Sequence, residues 1–370
     1  MTFELALIGF GNVARRFVRL LDELKPELAR EHGIAVRIAG VATRSRGRIA
    51  DPKGLDAARL ATHVEHGGML GRKRGSTLSF IREITRAHAA AARRGRLVIA
   101  EATTLDVLRG QPATDHVRAA LAGGAHVITS NKGPTAFAYH ALSSAARRRG
   151  RCFLFESAAL DGVPVFNLKR ATMPAVTING FQGVVNSTTN YILTAIEQGE
   201  SFGGALEAMQ RAGIAEADPS LDVDGWDAAA KTAALANVLL DARLTPHAVD
   251  REGLSEEVGL RVLAARAVGR RLKLIASAER TGGVVRGRVK LTEIPETDLL
   301  AGLEGQQNAL VLQTDLLGDV AIVQRGWGLT QTAYGLVADL VAIAKTPATR
   351  PVPPPKPPDR SPSRRGSRRG

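Results

Sequence analysis

Glu216, Asp218, Asp222, Asp224 and Asp227 stand in front of one lysine, Lys231, at the mouth of an apolar helical run that continues to Leu240. Asp227 and Lys231 are four apart, so on a helix they share a face one turn apart, acid before base. The acids fall in the entry loop and first turn, where the helix dipole favours negative charge. In isolation such a pair is a solvated helix start of small energetic worth. Yet the chain carries 50 Lys and Arg against 36 Asp and Glu, so an acidic island runs against its average.

A second lysine stands in a more telling place. Ser130-Asn131-Lys132-Gly133-Pro134 follows the short apolar run His126–Thr129 directly. In a doubly wound sheet, ligands bind at the carboxyl ends of the strands, which presents Lys132 to a site. Glu101, Thr103 and Thr104 hold the equivalent place after Leu97–Ala100 and would line the nicotinamide side of a bound dinucleotide.

The dinucleotide itself is suggested by Gly9-x-Gly11-x-x-Ala14, which lies between an apolar run and a helix. There the backbone of Gly9, Phe10, Gly11, Asn12 and Val13 can approach a pyrophosphate at the positive end of the helix. The second strand ends in Val41-Ala42-Thr43-Arg44-Ser45-Arg46 with no carboxylate to hold a ribose 2′-hydroxyl. Arg44 instead suits a 2′-phosphate, so NADP is expected in preference to NAD, with NAD as the alternative. Two loops of small and polar residues, Glu156–Pro164 and Gly183–Asn190, offer backbone carbonyls and amides to a ligand or a hard monovalent cation.

The elements that must hold these groups follow from the apolar pattern. Runs at Phe3–Ile8, Ile34–Ala42, Leu97–Ala100, His126–Thr129 and Cys152–Phe155 read as strands. Helical stretches at Ser79–Ala92, Thr114–Ala122 and Ala136–Arg149 lie between the later ones. This alternation predicts a parallel, doubly wound sheet. After Pro164 the pattern changes. A strand over Val176–Val184 leads to helices at Tyr191–Gln198, Phe202–Ala212 and Asp227–Leu240. A segment Ala264–Ala278 ends in a run, Leu272–Ala276, that reads as helix or strand. Strands at Val284–Leu291 and Ala309–Gln313 precede a last helix, Thr332–Ile343. The expectation is an α/β chain: a dinucleotide-binding domain over 1–150, completed by 316–345, and a second domain over 151–315.

Composition narrows the classes. With 370 residues, the chain is long enough for more than one cooperating domain. No run of apolar residues is long enough to span a membrane. The first residues read as a strand, not a signal peptide. A single cysteine, Cys152, offers neither an internal disulfide nor a metal cluster, so a cytoplasmic setting is expected. The formal charge is +14, but seven Arg or Lys and one Asp lie after Lys345 in a Pro-, Ser- and Arg-rich tail, 346–370, expected to be disordered. With no aromatic interleaving elsewhere, the charge argues against a nucleic-acid function.

In this order the motifs resemble those of the homoserine dehydrogenases. The chain offers Gly9-Phe-Gly-Asn-Val-Ala14, Ser130-Asn-Lys132, Glu156–Pro164, the segment NSTTNYIL from Asn186, and Glu216-Ala-Asp-Pro219 with Asp222, Gly225, Asp227 and Lys231. Gly326-Trp-Gly328 and Thr332-Ala333 follow. The resemblance covers about residues 3–345 and implies a Rossmann-like nucleotide-binding domain with an α+β dimerisation and substrate domain. It implies NAD(P)-dependent interconversion of L-homoserine and L-aspartate 4-semialdehyde, on the route to threonine and methionine, by a homodimer.

By motif position, Lys132 and Lys231 are similar to the pair at the reacting oxygen, and Asp227 to the acid that binds the substrate hydroxyl. Glu216 is similar to the residue that holds the amino group, and Asp222 shapes the same pocket. Asn186, Ser187, Thr188 and Thr189 are candidate donors to the substrate carboxylate. Lys132, Thr103 and Gly328 join Arg44 and the glycine turn around the cofactor. A Na⁺ or K⁺ site is implied on backbone oxygens of Glu156, Ala159, Asp161 and Val163.

The chain departs from the family pattern at Ala14, Leu160-Asp161, Ser187, Trp327 and Gln331. No regulatory domain follows Lys345, so threonine feedback through one is not expected. Two lysines at one oxygen should depress each other's pKa, with Asp227 pulling the other way. A dehydrogenase of another amino or hydroxy acid, or a non-catalytic dinucleotide-binding relative, remains the alternative.

Overall fold

The structure is a computed structural model that describes residues 1–71, 75–91, 96–211, 218–326 and 328–347. Glu216, Trp327 and the tail after 347 lie outside the described residues. Among the described residues no helix is long and apolar enough to cross a membrane.

Among the described residues twelve strands form two sheets. They are β1 (Thr2–Ile8), β2 (Ala35–Ala42), β3 (Arg48–Ala50), β4 (Arg96–Glu101), β5 (His126–Thr129), β6 (Phe153–Leu154), β7 (Ile178–Val184), β8 (Asp250–Arg251), β9 (Arg270–Thr281), β10 (Val284–Pro295), β11 (Asn308–Thr314) and β12 (Asp319–Gln324). The first sheet has the order β3-β2-β1-β4-β5-β6. All its pairs are parallel except β2 with β3.

The first sheet's strands are apolar on both faces because both are covered. Phe3, Leu5 and Leu7 pack with the helices Asn12–Glu23 and Leu329–Lys345. Ala6 and Ile8 pack toward Val117, Leu121 and Leu142 of the helices Ala113–Ala122 and Gly133–Arg148. The chain leaves β1 toward β2 on one side and meets β4 on the other. That reversal opens a crevice at the strand ends, where doubly wound sheets bind ligands.

The second sheet has the order β12-β11-β7-β9-β10-β8 and is antiparallel apart from β8 with β10. Leu272, Leu274, Ala276 and Ala278 pack on the same core as the helices Ser187–Glu197, Trp226–Leu239 and Val258–Ala267. The run Leu272–Ala276 is therefore strand. It belongs to a long hairpin turned by Gly282 and Gly283, both at positive φ, which a two-residue hairpin turn demands. Asp319–Gln324 is the edge strand of this second sheet, and the helix Leu329–Lys345 is what returns to the first.

The structure adds helices that the apolar period did not predict, at Lys25–His32, Ala57–Glu65 and Val165–Thr172. Lys25–His32 buries only Leu28. It is set by its ends, with proline in the first turn and Gly33 closing it at φ 61.

Candidate active site

Two adjoining cavities lie along the crevice. One of about 380 Å³ is lined by Gly9, Phe10, Gly11, Arg44, Thr103 and His116 among others. The other, of about 580 Å³, is lined by Gly11, Asn12, Val13, Thr103, Lys132, Ala159, Asp161, Asp222, Asp227, Lys231 and Thr332 among others. The first runs over the ends of β1, β2 and β4, and the second reaches across to the helix Trp226–Leu239.

The glycine turn fits a dinucleotide. Gly9 has φ 87, and a Cβ there would meet the Ala102 carbonyl oxygen at 2.4 Å. The turn is thus locked against the loop after β4. At Gly11, the N-cap of the helix Asn12–Glu23, a Cβ would meet nothing within 4 Å. Free backbone at a helix N-terminus with open space before it is what a pyrophosphate needs.

Arg44 is exposed at the end of β2 and has no hydrogen bond or ion pair among the described residues. Its neighbours are committed: Arg46 donates to the Gly67 carbonyl, and Arg48 to the Ser79 hydroxyl at 3.0 Å.

The loops after β4 and β5 are tied together. Glu101 is fully buried and accepts from the hydroxyls of Thr129 at 3.1 Å and Thr103. Asn131 accepts from the Gly133 amide at 2.8 Å and donates to the Thr103 carbonyl at 2.8 Å. These bonds fix Lys132 at the start of the helix Gly133–Arg148 and aim it across the cleft.

There it meets the acidic segment. Lys132 Nζ lies 3.1 Å from Asp227 Oδ1, and Lys231 Nζ lies 3.0 Å from Asp227 Oδ2. Lys231 Nζ also donates to the Val185 carbonyl at 2.6 Å. Two of its three N–H donors are thus used, and one is left for the cleft.

Asn186 caps the helix Ser187–Glu197 by accepting from the Thr189 amide at 2.9 Å. Its Nδ2 donates to Asp222 Oδ1 at 2.7 Å and to Asp227 Oδ2 at 2.9 Å. Thr188 completes the set by donating to Asp222 Oδ2 at 3.0 Å. One asparagine therefore holds two half-buried carboxylates and a helix end together.

This changes one expectation. Asn186 and Thr188 are spent on Asp222 and Asp227, and Thr189 bonds back to Asn186, so these three are not free donors for a substrate carboxylate. Ser187 accepts from Asn308 and does not line the cleft.

Of the two opposing effects expected on the lysines, the pull of the carboxylates prevails at Lys231. Burial would lower Lys231, but the charges of Asp227, Asp161 and Asp222 outweigh it and raise it. Burial would raise Asp227, but Lys132 and Lys231, with the Asn186 bond, hold it well below the usual carboxylate range. Asp222 is raised, by burial first and then by the Asp227 charge.

The remaining predicted residues separate. Ala159 and Asp161 line the cleft, whereas the Glu156 side chain turns away. Its two oxygens accept from the amides of Phe166 at 2.8 Å and Asn167 at 2.6 Å, which start the helix Val165–Thr172. Its own amide donates to Asp339 Oδ2 at 2.9 Å. Val163 is buried, and its carbonyl accepts from the Val165 amide at 2.8 Å. Gly328, at φ 138, caps the last helix and does not line either cavity, which Thr332 of that helix does. Asp218 lies at the rim, fully exposed, where it accepts from the Ser220 amide.

Comparison with known proteins agrees with this geometry. The family model described as homoserine dehydrogenase matches residues 164–341. The chain is 36% identical over 349 residues to an NAD(+)-dependent homoserine dehydrogenase of Pseudomonas canavaninivorans, covering 94% of this chain and 97% of the relative. It is 30% identical over 343 residues to a homoserine dehydrogenase of Methanocaldococcus jannaschii, covering 92% and 98%. The crystal structure of a homoserine dehydrogenase from Thiobacillus denitrificans superposes with a TM-score of 0.77 at 28% identity, covering 93% of this chain and 73% of that one.

Proposed function

The chain belongs to the homoserine dehydrogenase family, and on that premise we propose how its own residues carry out the interconversion of L-homoserine and L-aspartate 4-semialdehyde. The observation that carries the reading is the Lys132–Asp227–Lys231 bridge at the ends of β5 and the helix Trp226–Leu239, inside the cleft that opens from the glycine turn.

Residues Gly9 to Val13 hold the dinucleotide pyrophosphate, and Thr103 and Lys132 border its nicotinamide end. The bound nicotinamide supplies the hydride acceptor or donor. The protein supplies the proton and the charge. In reduction, the carbonyl oxygen gains negative charge and needs donors already aimed at it. Lys231 has one N–H left for that oxygen and is held protonated by the carboxylates around it. Lys132 approaches from the opposite wall.

Asp227 has both oxygens engaged, so it acts on the substrate hydroxyl by keeping the two ammonium heads together. In oxidation the same lysines receive the hydroxyl proton, a step that becomes easier as pH rises. Asp222 walls the pocket, and Glu216 is assigned to the substrate ammonium. A monovalent cation on the carbonyls of Glu156, Ala159, Asp161 and Val163 belongs to the same reading and takes no part in proton transfer. The assembly is a homodimer and its setting the cytoplasm, with residues 1–150 and the last helix as the nucleotide domain.

NADP is the preferred cofactor in this reading, although the Pseudomonas canavaninivorans relative is NAD(+)-dependent by name. What supports it is Arg44, exposed at the end of β2 with no partner among the described residues and no carboxylate beside it. Purified protein is expected to oxidise NADPH with aspartate semialdehyde, and NADH more weakly. Arg44→Ala is expected to raise the KM for NADPH roughly tenfold and to leave NADH nearly unchanged. Absence of turnover with either reduced cofactor would remove the function, and equal kcat/KM for both cofactors would remove only the preference.

A further inference from the structure

Asp161 combines three observations that its place in the loop after β6 does not require. It is a non-glycine residue in the left-handed region, at φ 50, a conformation that aspartate tolerates better than most side chains. It is one of the positions at which the chain departs from the family pattern. It lines the same cavity as Lys132, Asp222, Asp227 and Lys231, and its charge acts on Lys231.

The loop leaves it no freedom to turn away. A Cβ on the next residue, Gly162, would meet the Gln331 carbonyl oxygen at 2.1 Å, so this backbone lies directly on the last helix. The Ser157 hydroxyl donates to the Thr332 carbonyl at 2.7 Å, and the Thr332 hydroxyl donates to Asp161 Oδ1 at 3.1 Å. Both the backbone and one carboxylate oxygen of Asp161 are therefore held by the start of that helix.

The other oxygen distinguishes it from its neighbours. Asp227 has both oxygens engaged, by two lysines and Asn186, and Asp222 has both engaged, by Asn186 and Thr188. Asp218 lies at the exposed rim. Oδ2 of Asp161 has no partner among the described residues. A half-exposed carboxylate fixed on the wall of a reaction cleft, with one oxygen open, is suited to a cationic group carried by the substrate.

We propose that the Asp161 side chain is a specificity-determining residue that binds the α-ammonium of the amino acid substrate. This rests on the function proposed above, and it gives the side chain a role separate from any cation held by the loop's carbonyls. An ammonium has three N–H donors, so one can bond Asp161 Oδ2 and leave two for other acceptors. The requirement falls on substrate recognition, because the ammonium keeps its charge throughout the reaction. Removing a contact that is equal in ground and transition states raises KM and spares kcat.

Asp161→Asn and Asp161→Gly test this together. Asparagine keeps the shape and tolerates the left-handed backbone, and glycine relieves it, so both variants should fold. Unchanged NADPH affinity by fluorescence titration checks the fold. In each variant the KM for L-homoserine should rise roughly tenfold, with kcat within about threefold of the parent. Inhibition by 4-hydroxybutanoate, which lacks the ammonium, should be unchanged wherever the parent shows it. An unchanged homoserine KM in either folded variant overturns the proposal. So does a fall in kcat at constant KM, which would mean that Asp161 acts only through Lys231. If the parent protein does not oxidise L-homoserine at all, the functional reading fails first and this inference falls with it.

Discussion

Two pairs of carboxylates, one half-buried and one buried, are solved in opposite ways in this molecule. Asp222 and Asp227 sit at the cleft with Lys132 and Lys231 between the two halves of the chain. Glu156 and Asp339 sit behind it, where the loop after β6 meets the last helix, and no lysine or arginine bonds to either among the described residues. In the first pair the two lysines keep Asp227 ionised while Asp222 moves upward. In the second both groups are raised, Glu156 to about 7 and Asp339 well above its ordinary value. Burial is the main cause for each, and the charge of Glu156 adds to it for Asp339. Desolvation is common to the two places, so the difference lies in whether cations were brought in. Where chemistry needs a fixed charge, the chain sets lysines beside the acids. Where it needs only a helix start and a joint, it buries acids whose pKa burial pushes upward.

Breaking the first pair should have the largest effect. Asp227→Asn removes the anion shared by both lysines, and kcat for semialdehyde reduction is expected to fall roughly a hundredfold. The sign of the accompanying pH change is fixed. Lys231 is raised in part by Asp227, so its removal lowers that pKa and moves the alkaline fall of the reduction rate to lower pH. A pH–rate profile with the alkaline limb unmoved would show that Asp227 does not govern the proton donor.

Disturbing the second pair should change stability and leave chemistry alone. A carboxyl raised on folding contributes stability at low pH that is lost as pH climbs through its folded value. For Glu156 that window runs from about 4.5 to about 7. The protein is therefore expected to be less stable at pH 8 than at pH 5.5, by an amount on the order of 2–3 kcal/mol from this joint. Asp339→Asn keeps an acceptor for the Glu156 amide and removes the like charge, so it should flatten that slope with kcat unchanged. Thermal melting at the two pH values decides it, and equal slopes in parent and variant would refute the shared-charge account.

The contrast also marks what could be read from the residues. The strands of the first sheet are uninterrupted apolar runs because both faces are covered, and such runs are visible without a structure. Lys132 was legible from its place at a strand end, and the Asp227–Lys231 pair from its spacing. Asn186 could be seen as part of a motif, but its task could not. It joins Asp222 and Asp227 to a helix cap across more than thirty residues of chain, a relation that no local period carries. The pull of Asp227 on Lys231 was legible from their spacing, but the added charge of Asp161 was not, since it comes from the loop after β6. Glu156 was read for its carbonyl, whereas its side chain caps the helix Val165–Thr172 ten residues ahead. Helices such as Lys25–His32 escaped because they are set by their caps and bury almost nothing.

The central claim is that Lys132 and Lys231 act as one unit on the reacting oxygen through Asp227. Steady-state kcat for semialdehyde reduction in Lys132→Met, Lys231→Met and the double variant tests it most directly. Each single change should cost roughly a hundredfold or more, and the double variant should be little slower than the slower single, because groups that work as a unit are lost together. Near-parental kcat in either folded single variant, or a double variant whose loss equals the product of the two single losses, would contradict it.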